Sequence, residues 1–216
     1  RYIAKWANDQ GKWKTYAVIY VNDDYGRGLA DVFITGLTEI GVPEKNLVAS
    51  EAFLPNDTDF SAQLTKIKGL NPDALFIAGH YKEGALIARQ AAELRLDAQI
   101  LGTDGIGHPE YINVAGKAAE GTIYSGYFSL EDKRPYIQKW AADFKKKFDY
   151  DPGLVEAIAN DCVEIAAKAI EIAGINNDSC SAPSKHFAHH CCDGTAPPRK
   201  NRTGVHEARL RCVQFG

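Results

Sequence analysis

The chain has 216 residues, of which 45% are hydrophobic and 25% are charged, and its formal net charge at pH 7 is -3. This composition fits one globular domain or slightly more, and the acidic balance argues against a nucleic-acid surface, which needs clustered lysine and arginine. No apolar run approaches the roughly 18 residues of a membrane span. Since the chain lacks methionine and opens inside a helical pattern at Arg1, we expect a piece of a longer protein.

Apolar runs typical of strands alternate with amphipathic helical patterns as far as residue 128. Such alternation predicts an α/β fold, an open parallel sheet with flanking helices. Two longer helical patterns then follow without strands of their own, and an irregular tail ends the chain. The predicted strands are 16–21, 47–53, 74–78, 99–101 and 122–128, and the predicted helices are 28–40, 58–67, 83–94, 109–115, 137–148 and 154–173.

The composition changes sharply at Gly174. Four of the six histidines and four of the five cysteines follow it, and periodic apolar positions almost disappear. Structural zinc sites prefer a Cys-x₂₋₄-Cys pair with a matching second pair. Adjacent cysteines beside adjacent histidines fit this poorly, so we predict no metal site and a segment outside the fold. The residues considered as zinc ligands are His186, His189, His190, Cys191 and Cys192.

Three predicted strands end in a tyrosine or an aspartate beside glycine. Tyr25 follows the first strand, Tyr81 the third and Asp104 the fourth. Because open α/β sheets bind ligands at the carboxyl ends of their strands, near the switch point in strand order, these side chains are expected to face one site. Two phenols and one carboxylate suit a ligand with an apolar body and a cationic amine. Each residue could instead belong to an ordinary turn.

Other kinds of site fit less well. The segment from Tyr25 to Asp31 lies where a dinucleotide fingerprint would, but its last position should be glycine or alanine. Asp23 and Asp24 resemble part of a receiver-type Mg²⁺ pocket, which also needs an aspartate after the third strand. No serine, cysteine or histidine arrangement indicates a nucleophile. We therefore predict no cofactor and no enzyme.

The stretch from Thr15 to about Gly174 resembles the type I periplasmic solute-binding proteins of ABC importers, in the Leu/Ile/Val-binding group. Each matching motif is weak alone, but their order and spacing form a specific signal over about three quarters of the chain. The motifs are Asp24-Tyr25-Gly26-Arg27-Gly28 after the first strand, Asp59-Phe60-Ser61, Asn71-Pro72-Asp73-Ala74, Gly84 with Arg89-Gln90-Ala91, Gly102-Thr103-Asp104-Gly105, Ala118-Ala119-Glu120-Gly121 and Asp151-Pro152.

This resemblance implies a two-lobed protein that closes on an amino acid, of which the chain holds a part. Residues 1–14 would end an interlobe helix, 15–128 would form the carboxyl-terminal α/β lobe, and 129–174 would return toward the missing amino-terminal lobe. Residues 175–216 resemble nothing in the family and are expected to be disordered. We hypothesise a reading-frame change near residues 175–179, which translation of the DNA in its other frames would test.

The resemblance also implies roles for the candidate residues. The acidic residue at the position of Asp104 takes the ligand amine, and tyrosines at the positions of Tyr25 and Tyr81 line the pocket. Two departures leave the solute open: Asn160 stands where a tyrosine is common, and His80 is not a family constant.

The implied function is capture of an amino acid, most simply of the branched-chain type, and its delivery to the membrane subunits of an ABC permease. The expected location is periplasmic, or extracytoplasmic with a lipid anchor. A helix separated from the sheet it should cover also predicts self-association. The alternatives are a ligand-sensing receptor or regulator domain of the same fold and, less favoured, a nucleotide-binding α/β enzyme.

Overall fold

The computed structural model describes residues 1–10, 13–173 and 211–214, with the backbone alone in the last range. The described residues divide into two compact units. One holds residues 1–154 together with 211–214, and the other holds residues 155–173. Within the described part, no helix is both long and apolar enough to cross a membrane. The lobe boundaries expected at residues 14, 128 and 174 stay predictions.

A parallel sheet forms the centre of the first unit, as predicted. Its spatial order is β2-β1-β3-β4-β5-β6, and every neighbouring pair is parallel. The first three strands have the predicted bounds, the fourth extends by one residue, and the fifth is shorter at both ends than predicted. The strands are β1 (Tyr16–Val21), β2 (Leu47–Phe53), β3 (Ala74–Ala78), β4 (Gln99–Gly102), β5 (Ile123–Gly126) and β6 (Arg211–Gln214).

The helices follow the predicted alternation. They are α1 (Tyr2–Asp9), α2 (Asp24–Glu39), α3 (Ser61–Leu70), α4 (Tyr81–Glu93), α5 (Pro109–Ala115), α6 (Pro135–Phe148) and α7 (Leu154–Ala173). Short 3-10 helices lie at Glu44–Asn46, Asp104–Ile106 and Gly116–Ala119.

Helix α2 begins four residues earlier than the apolar periodicity predicted. The side chain of Asp23 accepts a hydrogen bond from the Gly26 N–H at 2.8 Å and so caps the helix. A β-carbon at Gly26 would lie 2.1 Å from the carbonyl oxygen of Val21, so only glycine allows this close return onto β1. Tyr25 therefore lies in the first turn of α2.

The two faces of the sheet carry separate cores. On the α3–α5 face, helices α3, α4 and α5 cover side chains such as Ile19, Leu75 and Ile77. On the α1–α2 face, helices α1 and α2 cover side chains such as Val18, Phe76 and Leu101. Successive residues of β1 and β3 are buried on opposite faces, because side chains alternate along a strand with a two-residue period. Both faces of the central strands are therefore apolar, as expected in a parallel sheet.

Most of the predicted disordered tail lies outside the described residues. Its four described residues form β6, whose backbone pairs with β5 from Ile123–Arg211 to Gly126–Gln214. These four residues are therefore a strand, where irregular structure was expected.

Helix α6 carries a row of aromatic rings. The ring centroids of Trp140 and Phe144 are 5.6 Å apart, and those of Phe144 and Phe148 are 4.5 Å apart. Phe128, which precedes the helix, packs against Trp140 with ring centroids 5.6 Å apart. Within the helix, Ile137 and Ala141 are the buried residues. The predicted apolar stripe thus exists, but its aromatic part remains partly open to solvent.

Candidate functional site

The order of the strands reverses between β1 and β3. From β1 the chain passes to β2 on one side and then crosses to β3 on the other, which makes this the switch point at which open α/β sheets bind ligands. Two aromatic side chains flank it. Tyr25 follows β1 and His80 follows β3, and their rings stack with centroids 4.9 Å apart and planes 4° apart.

The Tyr25 hydroxyl reaches the loop that follows β4. A β-carbon at Gly105 would lie 2.6 Å from this hydroxyl and 2.5 Å from the carbonyl oxygen of Gly79. Glycine at position 105 thus lets the phenol rest against the backbone beside Asp104. Burial raises the pKa of Tyr25, the nearby Thr103 hydroxyl opposes this, and the charge of Asp104 raises the pKa further. The phenol therefore stays protonated at neutral pH and can donate a hydrogen bond.

Asp104 begins the 3-10 helix that follows β4 and is half-buried. Its carboxylate forms no hydrogen bond or ion pair with any other described residue. An acidic group left unpaired in this position can accept hydrogen bonds from a cation. Such charge-assisted bonds are shorter and stronger than neutral ones.

Tyr81 has a different partner. Its ring stacks on His108, with centroids 4.2 Å apart, and it packs against the core of the α3–α5 face. His108 is itself fixed, because its Nδ1 accepts a hydrogen bond from the Glu110 N–H at 3.1 Å and caps α5. The structure thus brings Tyr25 and Asp104 together and holds Tyr81 at the same sheet edge against another ring.

Two residues near Tyr25 and Asp104 were not predicted as site residues. His80 occupies the N-cap position of α4 without a side-chain capping bond, and its place directly after a buried strand was the available signal. Thr103 is 7% exposed, and its hydroxyl has no hydrogen-bond partner among the described residues. Nothing in the sequence distinguished this threonine from an ordinary turn residue.

A cavity of about 300 Å³ opens beside Asp104 on the α1–α2 face. Its walls come from α1, α2, β3 and the ends of β4 and β5. The lining side chains are Arg1, Tyr2, Ile3, Leu29, Val32, Phe33, Phe76, Thr103, Asp104, Ser125 and Tyr127. A mostly apolar cavity with a few polar groups is the usual form of a small-molecule site.

Over residues 1–10 and 13–173, no three histidine, cysteine, aspartate or glutamate side chains cluster in a way that could hold a metal ion. The histidines and cysteines weighed as zinc ligands lie outside the described residues. The described chemistry at the sheet edge is a carboxylate, two hydroxyls and aromatic rings. These groups can bind a small cationic solute without a metal.

Comparison with known proteins identifies the family. Residues 1–183 match a family model described as "Periplasmic binding protein". The Leu/Ile/Val-binding protein BraC3 of Rhizobium johnstonii is 35% identical over 176 residues, which are 82% of this chain and 47% of that protein. A leucine-, isoleucine-, valine-, threonine- and alanine-binding protein of Pseudomonas aeruginosa is 29% identical, over 79% of this chain and 44% of its own length.

Solved structures share the fold. The crystal structure of a leucine-binding protein from Thermotoga maritima superimposes with a TM-score of 0.71 at 33% identity, covering 80% of this chain and 49% of that one. A branched-chain amino acid substrate-binding protein from Streptococcus pneumoniae, solved in complex with isoleucine, gives 0.67 at 28% identity, over 78% of this chain and 47% of its own. The chain spans about half the length of the relatives that it matches.

Proposed function

The chain belongs to the periplasmic binding protein family, and from this premise we propose that it is the carboxyl-terminal lobe of an extracytoplasmic solute-binding protein that captures a branched-chain amino acid for an ABC importer. The observation that carries the proposal is the unpaired carboxylate of Asp104, held beside the Tyr25 phenol at the strand-order switch point. The names of the relatives, which bind leucine, isoleucine and valine, support the choice of solute.

Each candidate residue has a proposed role. Asp104 accepts hydrogen bonds from the solute's ammonium group, which contributes about 1.5–3 kcal/mol. Tyr25 supplies a protonated phenol at the mouth of the site, and Tyr81 lines the rim from the next strand. The second lobe, which this chain does not contain, would hold the solute carboxylate. Binding involves no chemical step on the solute, so the protein acts as a carrier and not as an enzyme.

The carrier role implies partners and a location. We propose that the closed, loaded protein docks on the membrane subunits of the permease, and that it works in the periplasm or outside the cytoplasmic membrane on a lipid anchor. The aromatic row on α6, made of Trp140, Phe144 and Phe148, would be covered in the two-lobed protein. In this chain alone we expect the row to drive self-association, which sedimentation velocity would show as a concentration-dependent rise in mass.

The function is tested with the full-length protein that carries both lobes. Thermal-shift and calorimetric titrations with leucine, isoleucine, valine and alanine should show binding, and Asp104→Asn should weaken it by about ten- to a hundredfold, since it removes a charge-assisted hydrogen bond. Asp31→Asn, an identical change at an exposed position of α2, serves as the control and should bind like the wild type. Equal affinity of the Asp104→Asn variant and the wild type would show that Asp104 does not bind the solute.

The isolated chain should bind the same solutes weakly. A micromolar solute corresponds to about -8 kcal/mol, and if one lobe supplies half of this, the chain alone binds near millimolar concentration. Micromolar binding by the isolated chain would contradict the two-lobed account.

A further inference from the structure

Four ring side chains follow the ends of three neighbouring strands at the sheet edge. Tyr25 lies after β1, His80 and Tyr81 lie after β3, and His108 lies after β4. We call these four residues the rim rings. We propose that the rim rings hold the loop of Asp104 in place for the solute, with the two histidines as positioning residues. This inference rests on the proposed amino-acid binding and adds to it the residues that fix the site.

The start of α4 joins two ring stacks. His80 is the N-cap residue of α4, and Tyr81 is the first residue of the helix. The ring of His80 stacks on Tyr25 with centroids 4.9 Å apart, and the ring of Tyr81 stacks on His108 with centroids 4.2 Å apart. Since Tyr25 lies in the first turn of α2 and His108 is the N-cap residue of α5, the stacks connect the beginnings of three helices.

The two stacks reach the loop of Asp104 from both of its ends. At its start, the Tyr25 hydroxyl lies 2.6 Å, and the carbonyl oxygen of Gly79 lies 2.5 Å, from the place where a β-carbon of Gly105 would be. At its end, the chain continues directly into His108, whose Nδ1 caps α5. A displacement of either stack would therefore shift the backbone on one side of Asp104.

His80 has no structural role that explains its place apart from the stack. Its side chain is exposed, makes no capping bond and forms no hydrogen bond or ion pair with another described residue. Its ring nevertheless lies flat on Tyr25, with 4° between the planes. Such a stack restricts the rotation of both rings. A binding group must be held within about 0.5 Å of its productive place, and a flat partner ring supplies that restraint for the phenol.

His108 has two contacts that substitutions separate. His108→Asn keeps a capping side chain and loses the ring, whereas His108→Phe keeps a ring for Tyr81 and loses the cap. Each variant loses one contact, so the two should unfold at similar urea concentrations. In the full-length protein, calorimetry should show that His108→Asn binds leucine about three- to tenfold more weakly than the wild type. His108→Phe should stay within about twofold. Equal affinities of the two variants would show that the ring does not position the site.

His80 is tested with the same solute and the same protein. His80→Phe keeps a flat ring but loses both nitrogens, and His80→Ala loses the ring. Leucine should bind His80→Phe within about twofold of the wild type and His80→Ala about three- to tenfold more weakly. If His80→Phe binds as weakly as His80→Ala, the nitrogens of the imidazole matter instead of its face, and positioning by stacking is wrong.

A double-mutant cycle tests whether His80 acts through Asp104. In the Asp104→Asn background the charge-assisted bond to the solute is already lost, so the position of the loop matters less. His80→Ala should then weaken leucine by less than about twofold, because the effects of coupled residues are not additive. An unchanged cost of His80→Ala in this background would show that the ring does not act through the Asp104 carboxylate.

The outcomes separate this inference from the proposed function. If the wild type binds leucine, and His80→Ala and His108→Asn bind it as tightly, the rim rings do not position the site, and amino-acid binding stands. If the wild type binds no amino acid at all, the proposed function fails and this inference fails with it.

Discussion

The two faces of the sheet are filled to different degrees. On the α3–α5 face, Ile106 fits against Gly84 and Gly102 so closely that a β-carbon at either glycine would lie within 3 Å of it. On the α1–α2 face, the corresponding ends of β4 and β5 border a cavity of about 300 Å³. One face therefore fixes the position of the loop after β4, and the other leaves room beside it. A binding site needs both, since a carboxylate must be held still next to an open space.

The largest effect is expected at high pH, through Tyr111 on the α3–α5 face. Burial raises the pKa of this tyrosine from 10.0 to about 12. Between these values the unfolded chain loses the proton while the folded chain keeps it, so the free energy of unfolding should fall as pH rises, by about 2–3 kcal/mol in total. Below pH 10 the contribution is fully present.

Urea unfolding of the isolated chain between pH 8 and about 12 measures this dependence. Tyr111→Phe, which loses only the hydroxyl that contacts Thr122, should unfold with a shallower dependence on pH. Identical slopes for the two proteins would show that the pKa of Tyr111 is the same in the folded and the unfolded chain.

The next prediction compares the loss of stability when a side chain is enlarged on each face. A β-carbon at Gly102 would lie 2.3 Å from the Cδ1 of Ile106, and Ile106 is fully buried, so Gly102→Ala should destabilise the fold by about 1–3 kcal/mol. Ser125→Val adds volume at a buried position that lines the cavity on the opposite face, where there is room for it, and should cost less than about 1 kcal/mol. Thermal and urea unfolding measure both.

A second substitution tests whether crowding against Ile106 causes the loss of stability in Gly102→Ala. Ile106→Val removes the crowded Cδ1, so Gly102→Ala should cost less in that background than in the wild type, a non-additivity expected for residues in contact. Equal costs of Gly102→Ala and Ser125→Val would instead mean that the two faces are packed alike.

The smallest predicted effect concerns the two histidines of the site edge. His108 caps α5 through its Nδ1, whereas His80 makes no capping bond for α4. Both alanine variants lose a ring stack, His108 with Tyr81 and His80 with Tyr25. His108→Ala also loses the cap, so it should cost about 1 kcal/mol more stability than His80→Ala. His108→Asn, which restores a good capping side chain, is the control. An equal loss in both alanine variants would contradict the difference in capping.

The sheet could be predicted because β-branched and aromatic runs such as 16–21 are separated by clear turn residues. The start of α2 was missed because apolar periodicity begins only at Leu29, while the helix begins with a polar cap from Asp23. Tyr25 and Asp104 could be placed at one edge from topology alone. The pairing of Tyr25 with His80, and of Tyr81 with His108, depends on side-chain directions at helix starts, which spacing does not determine. The cavity at Thr103 depends on how α1 and α2 pack, and no local pattern encodes it.

The order β2-β1-β3 has a consequence for how the sheet can assemble. Strand β1 pairs on both sides with strands that are complete by residue 78, whereas Asp104 belongs to a later segment. Because the pairing of these three strands involves no residue after position 78, the centre of the sheet can form before the loop that carries Asp104 takes its place at the sheet edge.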